Sequence, residues 1–174
     1  MLRITRIPFL PLLLAAFGVL GMAASASAQS ASGHGTLLVL NENGDAVRRQ
    51  FSFSARVASD GTVKGQAMLH NPAFEGANGN NYQLKIDITC MQVIGNVVFF
   101  GGTTRRTNDP NLVDAVYFSV QDNGEPGREN DKISSAFFFD EDPNTTGDPQ
   151  LCQGNVLGDF PMNTIESGNI QVRP

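Results

Sequence analysis

Tryptophan is absent from this 174-residue chain, and tyrosine, histidine and cysteine occur twice each. Each shortage excludes something. A membrane-spanning β-barrel needs girdles of interfacial aromatics and strands of roughly 9–11 residues, and with no Trp and so few Tyr the girdles cannot be built. The same lack removes the usual stacking platform for sugars, which argues against a carboxylate pair working on glycosides. His34 and His70 are isolated, with no partner motif. No G-x-S-x-G and no Gly-rich phosphate loop accompanies them, so neither nucleophilic nor phosphoryl chemistry is signalled. Neither cysteine has a second Cys or a His at metal-ligand spacing. Basic residues are outnumbered, 12 Lys and Arg against 17 Asp and Glu. The basic pairs Arg48-Arg49 and Arg105-Arg106 read as solvated strand ends. An acidic chain of this kind is a poor partner for nucleic acid. No stretch carries ten or more residues of helical period with caps.

One long apolar run is present, at the start. Arg3 and Arg6 precede the apolar segment Phe9–Ala24, and Ala26-Ser27-Ala28 places small residues at a cleavage site. This reads as a secretory signal over 1–28 with a mature start at Gln29. Pro8, Pro11, Gly18 and Gly21 argue against the alternative, an uncleaved anchor. Loss of the signal's two arginines takes the formal net charge from −5 to −7. Residues 29–174 are then a single domain, secreted or periplasmic, that does not span the membrane once the signal is removed. In an oxidising compartment Cys90 and Cys152 pair as a disulfide, the alternative being two buried thiols. In the chain-entropy model a loop of this length contributes about 4 kcal/mol.

What is abundant is phenylalanine, twelve residues, and glycine, eighteen. Along 50–57 Phe51, Phe53, Ala55 and Val57 alternate with Gln50, Ser52, Ser54 and Arg56, the period of two that a half-buried strand requires. The same alternation runs through Thr62–His70 and Tyr82–Met91, where it places Cys90 on the face of Leu84, Ile86 and Ile88. Val97–Gly101 is apolar on both faces, so it should be covered on both sides. Asn43-Gly44, Asp60-Gly61 and Gly95-Asn96 supply turns. A frayed start over Gln29–Gly33, a strand over Thr36–Leu40, a loop over Asn71–Asn81, a polar connection over Thr103–Asn111 and a last strand over Ile170–Val172 complete the reading. The central hairpin is formed by Leu112–Gln121 and Lys132–Phe139. The fold class is all-β: an antiparallel β-sandwich, or alternatively a closed β-barrel, of about seven or eight strands.

The hairpin's loop, Asp122–Asp131, carries the candidate chemistry. Asp122, Asn123, Glu125 and Asp131 offer the hard oxygens that calcium prefers, without the spacing of an EF-hand. The plain alternative is a solvated hairpin loop. A second acidic loop, Asp140–Gln150, cannot share one ion with it, because the intervening strand of eight residues spans roughly 25 Å. No other cofactor is suggested. Asn144-Thr145-Thr146 fits a glycosylation sequon. Pro72-Ala73-Phe74, apolar within a polar stretch, offers either a partner contact or a plug for the end of the core.

The order Asp122-Asn123-Gly124-Glu125-Pro126-Gly127, with Asp131 and Ile133 beyond it, Phe51-Ser52-Phe53 before it and Gly168-Asn169-Ile170 near the end, resembles small exported bacterial β-modules, some of them labelled post-COAP domains. The resemblance spans about Gly33 to Val172. It implies an extracellular β-module with no assigned activity; the cysteine pair and the Asp140–Gln150 insertion depart from the pattern. The expectation is therefore a secreted, non-enzymatic module that binds a protein or envelope partner or serves a structural role. The alternatives are a lipocalin-like carrier of a small apolar ligand, marked by a Phe-lined cavity, and a small secreted hydrolase, marked by a cleft with converging polar groups.

Overall fold

The computed structural model describes residues 29–75, 79–107, 115–138, 147–152 and 160–174. The expected signal, the start of the strand expected from Leu112, most of the acidic loop and the sequon lie outside these residues. Among the described residues the chain forms ten strands: β1 Ser30–Leu40, β2 Ala46–Val57, β3 Val63–Glu75, β4 Asn81–Ile94, β5 Val97–Thr107, β6 Ala115–Gln121, β7 Lys132–Ser134, β8 Phe137–Phe138, β9 Met162–Thr164 and β10 Ser167–Arg173. Among the described residues the only helical element is a 3-10 turn at Pro149–Cys152, and no helix is long and apolar enough to cross a membrane.

All strand pairings are antiparallel, in one curled sheet of order β10-β1-β2-β3-β4-β5-β6-β7-β9, with β8 added on β6. The two ends of this path are consecutive in the chain, separated only by Ile165 and Glu166. The sheet therefore bends until its ends approach each other. Its inner face buries Phe51, Phe53, Leu69, Ile86, Phe100 and Phe118, among others. Phe53 packs against Phe100 and Phe118, with ring centroids 5.3 and 6.0 Å away, and Phe100 and Phe118 lie 4.7 Å apart. Each buried Phe contributes about 1.5–3 kcal/mol. Gly33 and Gly35 face Phe53 and Phe51 across the β1–β2 ladder. A Cβ at Gly33 would fall 2.7 Å from the Phe53 ring, so the rings lie over bare backbone there.

Several expectations change. Gln29–Gly33 is not a frayed start: from Ser30 onward β1 pairs with both β2 and β10. The loop expected over Asn71–Asn81 is strand as far as Glu75, with a register shift between Asn71 and Glu75. β5 runs on through the expected polar connection to Thr107. The second arm of the hairpin is not one strand. β7 pairs with Val120 and Gln121, β8 with Val116 and Tyr117. One extra residue lies between the two registers. The Ser134 hydroxyl there accepts the Ser119 backbone N–H at 2.9 Å, a side chain standing in for a ladder carbonyl.

Cys90 is buried, on the opposite side of the sheet from the one expected. The β4–β5 register passes over Thr89, and a one-residue slip reverses the facing of everything after it. Met91 consequently joins the inner core, whereas Cys90 joins Phe99, Ala115, Tyr117 and Cys152 on the outer face. The disulfide Cys90–Cys152 ties the Pro149–Cys152 turn over that patch, with Cα atoms 5.9 Å apart. Tyr117 Oη donates to the Asp148 carbonyl beside it. The first half of β5, through Gly102, and β6 are thus covered on both faces, as their unbroken apolar runs require.

Candidate functional site: a carboxylate clasp and a buried arginine

Asp122 follows directly from β6 and Asp131 directly precedes β7, so the hairpin itself sets their spacing. Each sends its carboxylate across the gap to β10. Asp131 Oδ2 accepts the Ile170 N–H at 2.7 Å and Asp122 Oδ2 accepts the Val172 N–H at 2.9 Å. The other oxygens turn back into the loop: Asp131 Oδ1 accepts from Asn123 N at 2.8 Å and Asp122 Oδ1 from Gly124 N at 2.9 Å. Glu125 Oε1 accepts from Asn169 Nδ2 at 2.7 Å. Asn123 donates to the Asn130 carbonyl at 2.7 Å. Ile165 N donates to the Asp131 carbonyl, and Glu129 N to the Ile165 carbonyl.

The four residues that the sequence offered to calcium are therefore brought together, as a clasp. The carboxylate oxygens are met by N–H donors on Ile170, Val172, Asn169 and the loop backbone, and Asn123 Oδ1 by Asn96 Nδ2; the bonds to the carboxylates are charge-assisted, the strong kind. Among the described residues no group of three or more His, Cys, Asp or Glu is arranged to hold a metal ion. Alternate N–H groups of β10, which a neighbouring strand's carbonyls would otherwise take, are taken by side chains. Asp131 is fully buried in consequence. Gly127 is buried at the centre, where a Cβ would collide with Asn169 Oδ1 and Asp131 Oδ2.

Two further residues of the sequence reading fall on separate strands. His34 is exposed on β1 and His70 lies on β3, with β2 between them. A broad groove of about 720 Å³ crosses the outer face, where Gln66, Met68, Lys85 and Arg106 line it and Arg105 stands 3.7 Å from Asp87.

The basic pair Arg48-Arg49 requires a correction. Arg48 is exposed and forked onto Glu166, with nitrogen–oxygen distances of 2.9 and 3.1 Å. Arg49, read as a solvated strand end, is 2 % exposed. The inward alternation of Phe51 and Phe53, carried back one more step, lands on position 49, and that was the signal available in the sequence. Arg49 Nη2 donates to the Ser134 carbonyl at 3.0 Å and Nη1 to Ser135 Oγ at 3.4 Å, whereas Nε has no acceptor. Burial pushes the guanidinium down to about 10, which leaves it a cation at neutral pH.

Arg49 lines a pocket of about 250 Å³ at one end of the curl. Leu69 and Leu84 form its β3 and β4 walls, and Ser135 and Ala136, from the break between β7 and β8, face them. Phe74 and Tyr82 flank it with ring centroids 6.2 Å apart. The Pro72-Ala73-Phe74 segment divides here: Ala73 is buried, and Phe74 stays 45 % exposed beside the pocket.

No family model, no curated protein and no solved structure matches the chain.

Proposed function

We propose that the chain is an exported, non-enzymatic β-module that binds a small molecule at the Arg49 end of its curled sheet. The observation that carries this reading is the cation at Arg49, buried beside a pocket and left with an unused donor. A buried charge left partly unpaired costs stability, and binding function is one recurrent ground for such a cost. The signal expected over 1–28, the resemblance of the sequence to post-COAP-like modules and the compatible disulfide support a secreted or periplasmic location. The finer architecture we propose is a barrel rather than a sandwich, closed at the β9–β10 seam by the Asp122 and Asp131 clasp; the consecutive positions of the two end strands support it. Compared with the carrier weighed from sequence, the binding space is set beside Arg49, away from the ring-on-ring packing of Phe53, Phe100 and Phe118.

The test is amide chemical-shift mapping of the secreted protein against a panel of neutral, cationic and anionic fragments. Perturbations gathered at Asn71, Leu84 and Ala136 support the proposal. A panel that leaves those amides unmoved overturns it. Turnover of ester, glycoside or peptide reporters, abolished by a substitution on the outer groove, would replace it with the hydrolase reading.

A further inference from the structure

The ligand's chemistry can be taken one step beyond the pocket, and this step rests on the reading just given. A guanidinium presents five N–H donors in a planar fork. Arg49 places one on a carbonyl and one on a hydroxyl, and its Nε on nothing. The ion pairs found among the described residues are Arg48–Glu166, Arg105–Asp87 and Arg128–Glu129, so none neutralises Arg49. A positive charge without a counter-charge among the described residues is therefore held out of water next to Leu69, Leu84 and Ala136.

We propose that the pocket takes a small monocarboxylate with an apolar tail, its head on Arg49 and its tail along Leu69, Leu84 and Ala136. A carboxylate matches the planar fork and brings one negative charge to one positive charge. A phosphate dianion would bring a surplus charge that the apolar walls do not offset. The tail must be short, because the space lies just under the roughly 300–1,000 Å³ of drug-sized ligand sites. A free fatty acid and the C-terminus of an apolar peptide share this chemistry.

The experiment titrates the full mature protein with octanoate, octanol, octylammonium and N-acetyl-leucine, read by amide shifts and melting temperature. Octanoate is expected to saturate at the Asn71, Ser135 and Ala136 amides and to bind at least tenfold more tightly than octanol, with octylammonium inert. Arg49→Met is expected to lose at least tenfold in octanoate affinity while holding or raising the melting temperature, since an uncompensated charge has been replaced by an apolar chain. A purely structural arginine gives the reverse: a lower melting temperature and no tenfold preference for octanoate over octanol. Ala136→Leu, which fills tail space without touching the cation, is expected to block octanoate, so the inference stays testable if Arg49→Met does not fold. Octanoate bound by Ala136→Leu as tightly as by the parent overturns the placement. Octanol bound as tightly as octanoate overturns the charge assignment and leaves the pocket reading standing. If none of the four probes binds, both fall. Preference for octanoate over N-acetyl-leucine assigns a fatty acid, and the opposite preference a peptide terminus; either supports the shared chemistry.

Discussion

Asp131 sends its two carboxylate oxygens to N–H groups on different parts of the chain, Asn123 in its own loop and Ile170 in the last strand. Truncation leaves the Ile170 N–H buried without an acceptor and frees that of the exposed Asn123, and at about 1.5–3 kcal/mol for a bond to a charged group Asp131→Ala should cost on the order of 2–4 kcal/mol. Asp122 is less buried, so Asp122→Ala should cost about half of that. Urea unfolding of both variants checks the order; equal midpoints would mean that the buried bond has no special weight. The exposed pair Arg48–Glu166 behaves differently. The Arg48 hydrogen bond, with its charge, holds the Glu166 carboxyl below its ordinary value. A depressed carboxyl contributes stability above its unfolded value and loses it as pH falls through the folded one. Glu166→Gln should therefore differ slightly from the parent at neutral pH, and the difference should vanish in acid. Equal midpoints at every pH would show the fork to be idle, as many surface pairs are.

The loop between β6 and β7 works as a unit. Its sequence order is legible as a turn because Gly124 and Gly127 sit where other residues do not fit: Gly124 has φ +92°, and Gly127 has no room for a Cβ. Gly127→Ala should displace Asn169 and Asp131 together and expose the amides of Ile170 and Val172 to solvent. Hydrogen exchange checks this: those amides should lose protection while β2 and β3 keep theirs, whereas Arg128→Ala, at an exposed position, should change nothing. At this scale the sequence located the strands well where inner and outer residues alternate, as along Phe51–Val57. It erred where the alternation slips. Passing over Thr89 moved Cys90 to the outer face, and the extra residue near Ser135 split one expected strand into two. Such slips follow from the pairing partner's curvature, which no local pattern records.

For the whole molecule, the Cys90–Cys152 bridge closes a separation of 62 residues, worth about 4 kcal/mol in the chain-entropy model. Reduction should lower the melting temperature markedly while the β-rich circular dichroism spectrum persists at room temperature; an unchanged midpoint would place the bond's contribution near zero. Calcium or a chelator should leave the midpoint in place, because the clasp oxygens already face N–H donors; a shift with calcium would mean that the loop's oxygens rearrange around the ion. The chain by itself determined an all-β fold, the inward row of phenylalanines, the cysteine pair and the gathering of Asp122, Asn123, Glu125 and Asp131 in one loop, because period-two patterning and turn chemistry are local properties. Only the tertiary structure decided that those carboxylates reach β10 instead of standing in solvent, and that Arg48 is forked onto Glu166. Both depend on which distant strands meet as the sheet curls, and contacts between residues 39 and 118 positions apart in the chain are not written in any local pattern.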